Sequence, residues 1–189
     1  MKLRIFCRLG IVLLAFKWSG TAQTTVMDTA RAAMMRGDLA QAIQSMDGEI
    51  AAGHKLFDAY KFRADLNKMK GDFTAALADV NEALQIKNTD GSLYERRAEF
   101  GMILRRPMTD ILADLDLAVT DGVKHERIYA LRAFIRSSQG DLDGGIADYQ
   151  TAIGFRPNNA RAVIGLALVY QRKRDIDRAI TTLENFVQT

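Results

Sequence analysis

The sequence predicts an all-α protein of the solenoid class, in which about five similar pairs of helices follow one another along the chain. One observation is a turn signal that returns at a nearly constant interval, and a second is a spacing of three and four residues between apolar positions. This spacing places apolar side chains on one face of a helix, whereas a strand requires alternation. The chain has 189 residues, 48% of them apolar and two of them proline, which suits a packed helical domain.

The turn signal is a Gly-Asp dipeptide, replaced by Arg-Asp at its last position. It occurs at Gly37-Asp38, Gly71-Asp72, Gly140-Asp141 and Arg174-Asp175. The separations of 34, 69 and 34 residues indicate a repeating unit of about 34 residues, with one degenerate unit of 35 in the middle. The predicted repeats, called repeats 1 to 5 below, are 23–56, 57–90, 91–125, 126–159 and 160–189.

Each repeat has the length and pattern of two helices joined by a short turn. In repeat 4, an apolar stripe with helical spacing runs through Ile146, Tyr149, Ala152 and Ile153. The glycine of the turn can adopt the left-handed conformation that ends the first helix, and the aspartate can accept hydrogen bonds from the free amides of the second. We therefore expect a helical hairpin in every repeat.

Two columns of charged residues vary together between the repeats. Repeats 2, 3 and 4 have an arginine in the first helix and an aspartate in the second, whereas repeats 1 and 5 lack both. This covariation predicts an ion pair between the two helices, partly exposed and worth about 0.2–1 kcal/mol. The pairs are Arg63 with Asp79, Arg97 with Asp114, and Arg132 with Asp148.

With these features in view, the chain resembles the tetratricopeptide repeat family. A 34-residue helix-turn-helix unit with an early aromatic residue, a Gly-Asp turn and Pro157-Asn158-Asn159 at the exit of repeat 4 is typical of that family. The resemblance covers 23–189. It implies a right-handed α-solenoid of about five tetratricopeptide repeats, whose first helices line a concave groove that binds a protein partner.

The first 22 residues have the composition of a signal peptide. Basic residues up to Arg8 precede an eight-residue apolar run from Leu9 to Phe16, and small residues end at Ala22. We expect cleavage after Ala22 and a periplasmic or secreted domain of residues 23–189, with a retained membrane anchor as the alternative. The apolar run is shorter than the roughly 20 residues that cross a bilayer, so no stable membrane span is expected after cleavage.

Charge and cysteine content exclude several functions for the cleaved chain. Removing the four basic residues of 1–22 leaves 22 basic and 23 acidic residues, so the net charge of +3 does not indicate nucleic-acid binding. Cys7, the one cysteine, lies in the same segment, which leaves no thiolate for a disulfide or a metal site.

Catalytic patterns are absent from the sequence. His54 and His125 are the two histidines, 71 residues apart, and no nucleophile, metal-binding or phosphate-binding motif occurs. Glu95 and Glu99 form a carboxylate pair one helical turn apart, which is more typical of a solvated helix face than of an acid–base site. We therefore predict a non-catalytic protein without cofactor or metal.

The resemblance implies that two equivalent positions in the first helix of every repeat face the groove. These residues are charged in repeats 2 and 3 and apolar in repeats 4 and 5, a mixture that suits a peptide or helix ligand better than a small molecule. An acidic residue, Asp65, stands where a carboxylate-binding groove would need an amide. The column residues are Met27 and Arg31, Lys61 and Asp65, Glu95 and Glu99, Ala130 and Phe134, and Ile164 and Leu168.

The predicted partner-binding residues come from these columns. We expect Phe134, Ile164 and Leu168 to meet as an apolar anchor, with burial in the core as the alternative role. The charged members of the predicted site are Lys61, Glu95 and Glu99. This reading makes the protein a scaffold or adaptor of the cell envelope for a protein or peptide partner.

A second functional hypothesis is self-association. The last predicted helix carries an apolar stripe that no following helix of the sequence covers, and solenoids usually need a polar cap there. A homo-oligomer formed through this repeat is therefore the alternative to the adaptor. The stripe consists of Ile176, Ile180, Leu183 and Val187.

Overall fold

The computed structural model describes residues 26–188, which contain ten helices and no strand. The predicted signal segment 1–22 and its cleavage point lie outside the described residues, so the division at residue 22 stays a prediction. The helices are α1 (residues 26–35), α2 (Leu39–Ala51), α3 (Leu56–Lys70), α4 (Phe73–Ile86), α5 (Gly91–Ile103), α6 (Met108–Thr120), α7 (Glu126–Ser138), α8 (Leu142–Phe155), α9 (Ala160–Arg172) and α10 (Ile176–Val187).

The chain divides into two compact units at residues 88 and 89. In the described part, the first unit contains α1 to α4 and the second contains α5 to α10. Within the first unit α2 packs on α3 and α3 on α4, and within the second each helix packs on the next along the chain. Helix α7 also contacts α9, so the first helices of repeats 4 and 5 are neighbours.

Small residues dominate the helix contacts in both cores. The first unit buries alanines around Met46 and Leu66, and the second buries alanines around Tyr149 and Leu166. Alanine allows two helices to approach closely, while each fully buried large side chain stabilises the fold by about 1.5–3 kcal/mol. The apolar stripe predicted in repeat 4 therefore belongs to or packs against the core of the second unit.

The turns have the predicted geometry. Gly37, Gly71 and Gly140 have φ angles of 80°, 83° and 95°, in the left-handed region that favours glycine. Arg105 and Arg174 adopt the same region, with φ of 55° and 62°, in the two repeats that lack the glycine. The aspartates that follow the glycines, and Asp175 after Arg174, accept a hydrogen bond from an amide of the next helix.

The three predicted arginine–aspartate pairs are confirmed. Each has a shortest N–O distance of 2.6 Å between the first and second helices of its repeat. The expectation of partial exposure is wrong for the acid, because all three aspartates are 3% exposed. A carboxylate at this depth is costly without its partner, so the pair constrains the helix packing more strongly than a surface pair does.

Additional donors complete the coordination of these aspartates. Asn67 donates to the Oδ2 of Asp79 at 3.0 Å, and Arg136 donates to the Oδ2 of Asp148 at 3.0 Å. The arginines also lie over tyrosine rings three residues earlier, at 5.3–5.6 Å from the ring centres. Each polar cluster therefore fixes the rotation of one helix against another.

The same arginines link consecutive repeats. Arg63 donates to Asp47 of the preceding repeat at 2.6 Å, and Arg132 donates to Asp116 at 3.0 Å. These two acids occupy one sequence column, and in repeat 4 that column holds Gln150, which donates to the Tyr170 hydroxyl at 3.1 Å. Arg63 and Arg132 thus each connect the two helices of their own repeat and also connect that repeat to the preceding one.

Candidate functional site

The predicted groove residues of repeats 1, 2 and 4 line two pockets, one in each unit, whereas those of repeats 3 and 5 are not among the lining residues. The first pocket lies in the first unit, has a volume of about 430 Å³ and involves α1 and α3. The second pocket lies in the second unit, has a volume of about 600 Å³ and involves α5, α7, α8 and the start of α9. Each pocket is described separately below.

The first pocket has a balanced set of charges. Three acids and three bases surround Met27 and Phe62, and Lys61 holds its Nζ atom 5.1 Å above the centre of the Phe57 ring. The predicted column residues of repeats 1 and 2 are all among its lining residues, as the resemblance implied. The lining is Met27, Asp28, Arg31, Lys55, Asp58, Lys61, Phe62 and Asp65.

The second pocket has an apolar wall and an arginine-rich rim. Its acidic lining residue, Glu126, is paired with Arg156 at 3.1 Å. The predicted column residues of repeat 4, Ala130 and Phe134, are both part of the wall. The lining is Met102, Glu126, Arg127, Ala130, Leu131, Phe134, Tyr149, Arg156, Asn159 and Arg161.

The three residues of the predicted apolar anchor are at the surface. Phe134, Ile164 and Leu168 are 49%, 51% and 53% exposed, so their side chains are not part of the core. Phe134 lines the second pocket, whereas Ile164 and Leu168 lie on α9 outside its lining. The meeting of all three side chains therefore stays a prediction.

The two predicted glutamates have partners within the second unit. Glu95 lies 3.0 Å from Nε2 of His125, and Glu99 lies 2.8 Å from a guanidinium nitrogen of Arg127. The hydrogen bond to Glu99 raises the pKa of Arg127 above its ordinary value. Both glutamates therefore link α5 to the beginning of α7, and Glu99 fixes an arginine at the pocket rim.

Tyr149 is a pocket residue that the sequence analysis placed only in the core stripe. It is 5% exposed, it lines the second pocket, and its hydroxyl has no hydrogen-bond partner within residues 26–188. Burial raises the pKa of the Tyr149 hydroxyl above its ordinary value. Like any protonated tyrosine, it can donate a hydrogen bond.

Gly165 provides the space for the Tyr149 ring. A Cβ atom at residue 165 would lie 2.4 Å from Cζ and 2.6 Å from the hydroxyl oxygen of Tyr149. The sequence does indicate this space, because the residues equivalent to Gly165 are the large Phe62 in repeat 2 and Leu131 in repeat 4. The tyrosine, too, replaces purely apolar residues: its column holds Met46, Val80 and Leu115 in repeats 1 to 3.

The described residues show neither a metal site nor a membrane span. Among residues 26–188, no group of three or more His, Cys, Asp or Glu side chains is placed to hold a metal ion. In the same range, no helix has the length and apolarity needed to cross a bilayer. The second pocket itself presents apolar side chains and guanidinium groups.

This arrangement, helical hairpins that present side chains of their first helices to a pocket, defines an all-α repeat protein of the interaction type. The sequence model of the tetratricopeptide repeat matches residues 135–187. A TPR repeat-containing protein of Methanocaldococcus jannaschii is 28% identical over 121 residues, which cover 62% of this chain and 20% of that protein's length. Residues 135–187 therefore match the tetratricopeptide repeat, and the relative indicates the same type of repeat.

Solved structures confirm the predicted fold class, an all-α solenoid. The crystal structure of MamA protein matches with a TM-score of 0.78 and 18% identity, covering 89% of this chain and 92% of that chain. The crystal structure of YrrB, described as a TPR protein with an unusual peptide-binding site, matches with a TM-score of 0.75 and 16% identity, covering 86% and 84%. At these identities the likeness concerns the fold.

Proposed function

We propose that this protein is a non-catalytic scaffold that binds a peptide or a helix of a partner protein at the second pocket and the adjoining face of α9. The observation that carries the proposal is the exposure of Phe134 at the wall of a 600 Å³ pocket. The peptide-binding site named for YrrB, which shares the fold, supports the same type of ligand.

The apolar character of this surface is not required by the fold. The column of Phe134 and Leu168 holds Asp65 in repeat 2 and Glu99 in repeat 3, and those repeats form the same helical hairpins. An exposed aromatic or aliphatic side chain that becomes buried on binding contributes about 25 cal/mol per Å² of apolar area removed from water. Side chains of this kind are the usual anchors of peptide recognition.

A peptide-display selection followed by mutation tests this proposal. Peptides selected on the purified protein are synthesised, and their affinities are measured for the wild type and for Phe134→Ala and Leu168→Ala. We expect affinity losses of about tenfold or more, as for interface anchors, with melting temperatures within a few degrees of wild type. Leu117→Ala, at a 42% exposed residue of α6, is the matched control and should change neither property.

Two results would contradict the assignment. Unfolding of both alanine variants would show that Phe134 and Leu168 belong to the core. Unchanged affinity with intact folding would move the ligand to another surface, and Met27, Lys61 and Glu95 would then be the next residues to test.

We also propose that residues 1–22 direct export and that the scaffold acts in the periplasm or outside the cell. The basic, apolar and small-residue zones of the segment follow the order of a signal peptide. Intact-mass measurement of the protein from the envelope fraction should give a chain that begins at Gln23. A mass that includes Trp18 would favour the retained anchor instead.

A second candidate function is self-association through α10. Its four apolar stripe residues are 42–83% exposed, whereas the equivalent residues of α8, among them Ile146 and Tyr149, belong to or pack against the core cluster of the second unit. Light scattering coupled to size exclusion should then show an oligomer that Ile180→Asp converts to a monomer. A monomeric wild type at high concentration would exclude this function.

A further inference from the structure

We infer that the second pocket selects ligands in which an acidic side chain lies close to the bulky apolar anchor, and that Arg161 and the Tyr149 hydroxyl bind this carboxylate. The inference rests on the proposed function and specifies the chemistry of its partner. Three features of the pocket support it: its charge, a guanidinium without an ion-pair partner among residues 26–188, and a tyrosine hydroxyl without a hydrogen-bond partner in the same range.

The positive charge of the rim exceeds what the protein itself neutralises. Arg127 is paired with Glu99 and Arg156 with Glu126, but Arg161 has no ion-pair partner within residues 26–188. A guanidinium binds a carboxylate through charge-assisted and often bidentate hydrogen bonds, which are stronger than neutral ones. The surplus charge therefore favours an acidic ligand and disfavours a basic one.

The Tyr149 hydroxyl is the second unpaired group. Tyr149 is 5% exposed and lines the pocket, and its hydroxyl has no acceptor among residues 26–188, so it can donate a hydrogen bond to a ligand. A tyrosine hydroxyl is protonated at neutral pH, so this group can donate a hydrogen bond to a carboxylate oxygen. In a site closed by a ligand, both the hydroxyl and the guanidinium would find their missing partner.

The helix geometry places the two groups near each other. The Tyr149 hydroxyl lies 2.6 Å from the position that a Cβ of Gly165 would occupy on α9. Arg161 precedes Gly165 by four residues, so the two positions share one face of the helix, with Cβ positions about 5–6 Å apart. The long arginine side chain can therefore reach an oxygen that the tyrosine hydroxyl also contacts.

Fluorescein-labelled synthetic peptide pools can test the inference on the purified full chain. Each pool has one fixed Leu or Phe and one fixed Glu, Gln or Lys within four residues of it, and binding is followed by fluorescence polarisation. We expect the Glu pools to bind about tenfold more tightly than the Gln pools at low salt, and the Lys pools to bind most weakly. Added salt should reduce the preference.

Two variants separate the two proposed contacts. Arg161→Gln should remove the preference for Glu over Gln while leaving the Gln pools bound as before. Tyr149→Phe should weaken the Glu pools about threefold or more and leave the melting temperature unchanged or higher, because the hydroxyl has no partner to lose. Arg174→Gln, at an exposed arginine in the turn before α10, is the matched control and should preserve the preference.

The outcomes distinguish the inference from the proposed function. Equal binding of Glu and Gln pools, or a preference that survives Arg161→Gln, would overturn the inference while apolar-dependent binding still supported the scaffold. A lower melting temperature for Tyr149→Phe would assign the hydroxyl a structural role and remove it from the site. If pools without Leu or Phe bound as tightly as pools with them, the proposed function itself would fail.

Discussion

The two pockets use the same type of helix but differ in chemistry. The first pocket balances three acids with three bases, whereas the second combines an apolar wall with three arginines and one glutamate. The polar cores behind them are alike, since Asp79 and Asp148 are both 3% exposed and both paired with an arginine of the first helix. The buried acid of the second helix is therefore the same in both units, whereas the charges of the pocket residues differ between them.

The largest expected difference between the units concerns these buried acids. Asp148 accepts hydrogen bonds from two arginines, whereas Asp79 accepts from one arginine and from the uncharged Asn67. Neutralising the acid leaves its arginines paired only with more exposed acids such as Asp116 and Asp47, and breaking a buried pair costs about 3–5 kcal/mol. We expect Asp148→Asn to lower the free energy of unfolding by about 3 kcal/mol or more and Asp79→Asn to lower it less.

Chemical denaturation of the two variants measures this difference, with Asp143→Asn as a surface control. The double variant Arg132→Gln with Asp148→Asn should cost less than the sum of the single changes, since the two side chains contact each other. Equal costs for Asp79→Asn and Asp148→Asn would show that the number of arginines at the acid does not determine stability. Additive costs for Arg132→Gln and Asp148→Asn would show that this pair is not coupled.

These elements also show what could be predicted from the sequence. The arginine–aspartate pairs were predictable because both members recur at fixed positions in repeats 2 to 4 and are missing together from repeats 1 and 5. The turns were predictable because glycine and an N-capping aspartate have specific backbone roles. Repetition provides several observations of one position within a single chain.

The candidate site was less predictable because it depends on what differs between repeats. Phe134 was predicted from its column. Tyr149 belongs to a core stripe, and its hydroxyl enters the candidate site only because Gly165 leaves room for it on α9. Glu99 was assigned to the ligand because the sequence does not show that Arg127 of the next repeat lies within 2.8 Å. Contacts between repeats require the helix packing to be known.

The second prediction concerns glycines inside helices of the two units. Gly165→Ala must displace the rigid Tyr149 ring, and such overpacking costs about 1–3 kcal/mol, partly offset by a gain in helix propensity of up to about 1 kcal/mol. Gly48→Ala, in α2 of the first unit, meets no atom within 4 Å and should stabilise the protein by about 0.5–1 kcal/mol. We therefore expect thermal shifts of opposite sign.

Gly154→Ala adds a control inside the second unit, since its added methyl group also meets open space. It should stabilise the protein as Gly48→Ala does. If Gly165→Ala stabilised the protein equally, the Tyr149 ring would be free to move away from α9, and the geometry of the hydroxyl in the second pocket would have to be abandoned.

The smallest expected effect is the removal of the Glu99 charge, which bears directly on the difference between the pockets. The Glu99–Arg127 pair is partly open to solvent, with 21% and 60% of the two side chains exposed, so Glu99→Gln should cost only about 0.5 kcal/mol of stability or less. The change also releases Arg127 at the rim of the second pocket. The net positive charge available in that pocket then increases, whereas the charges of the first pocket remain balanced. We therefore expect a few-fold gain in affinity for acidic peptides, with a steeper salt dependence. Glu82→Gln, at an exposed glutamate of α4 that lines neither pocket, is the control and should leave the affinity unchanged. A loss of peptide affinity in Glu99→Gln would instead mean that Glu99 contacts the partner itself, as its place in the groove column predicts.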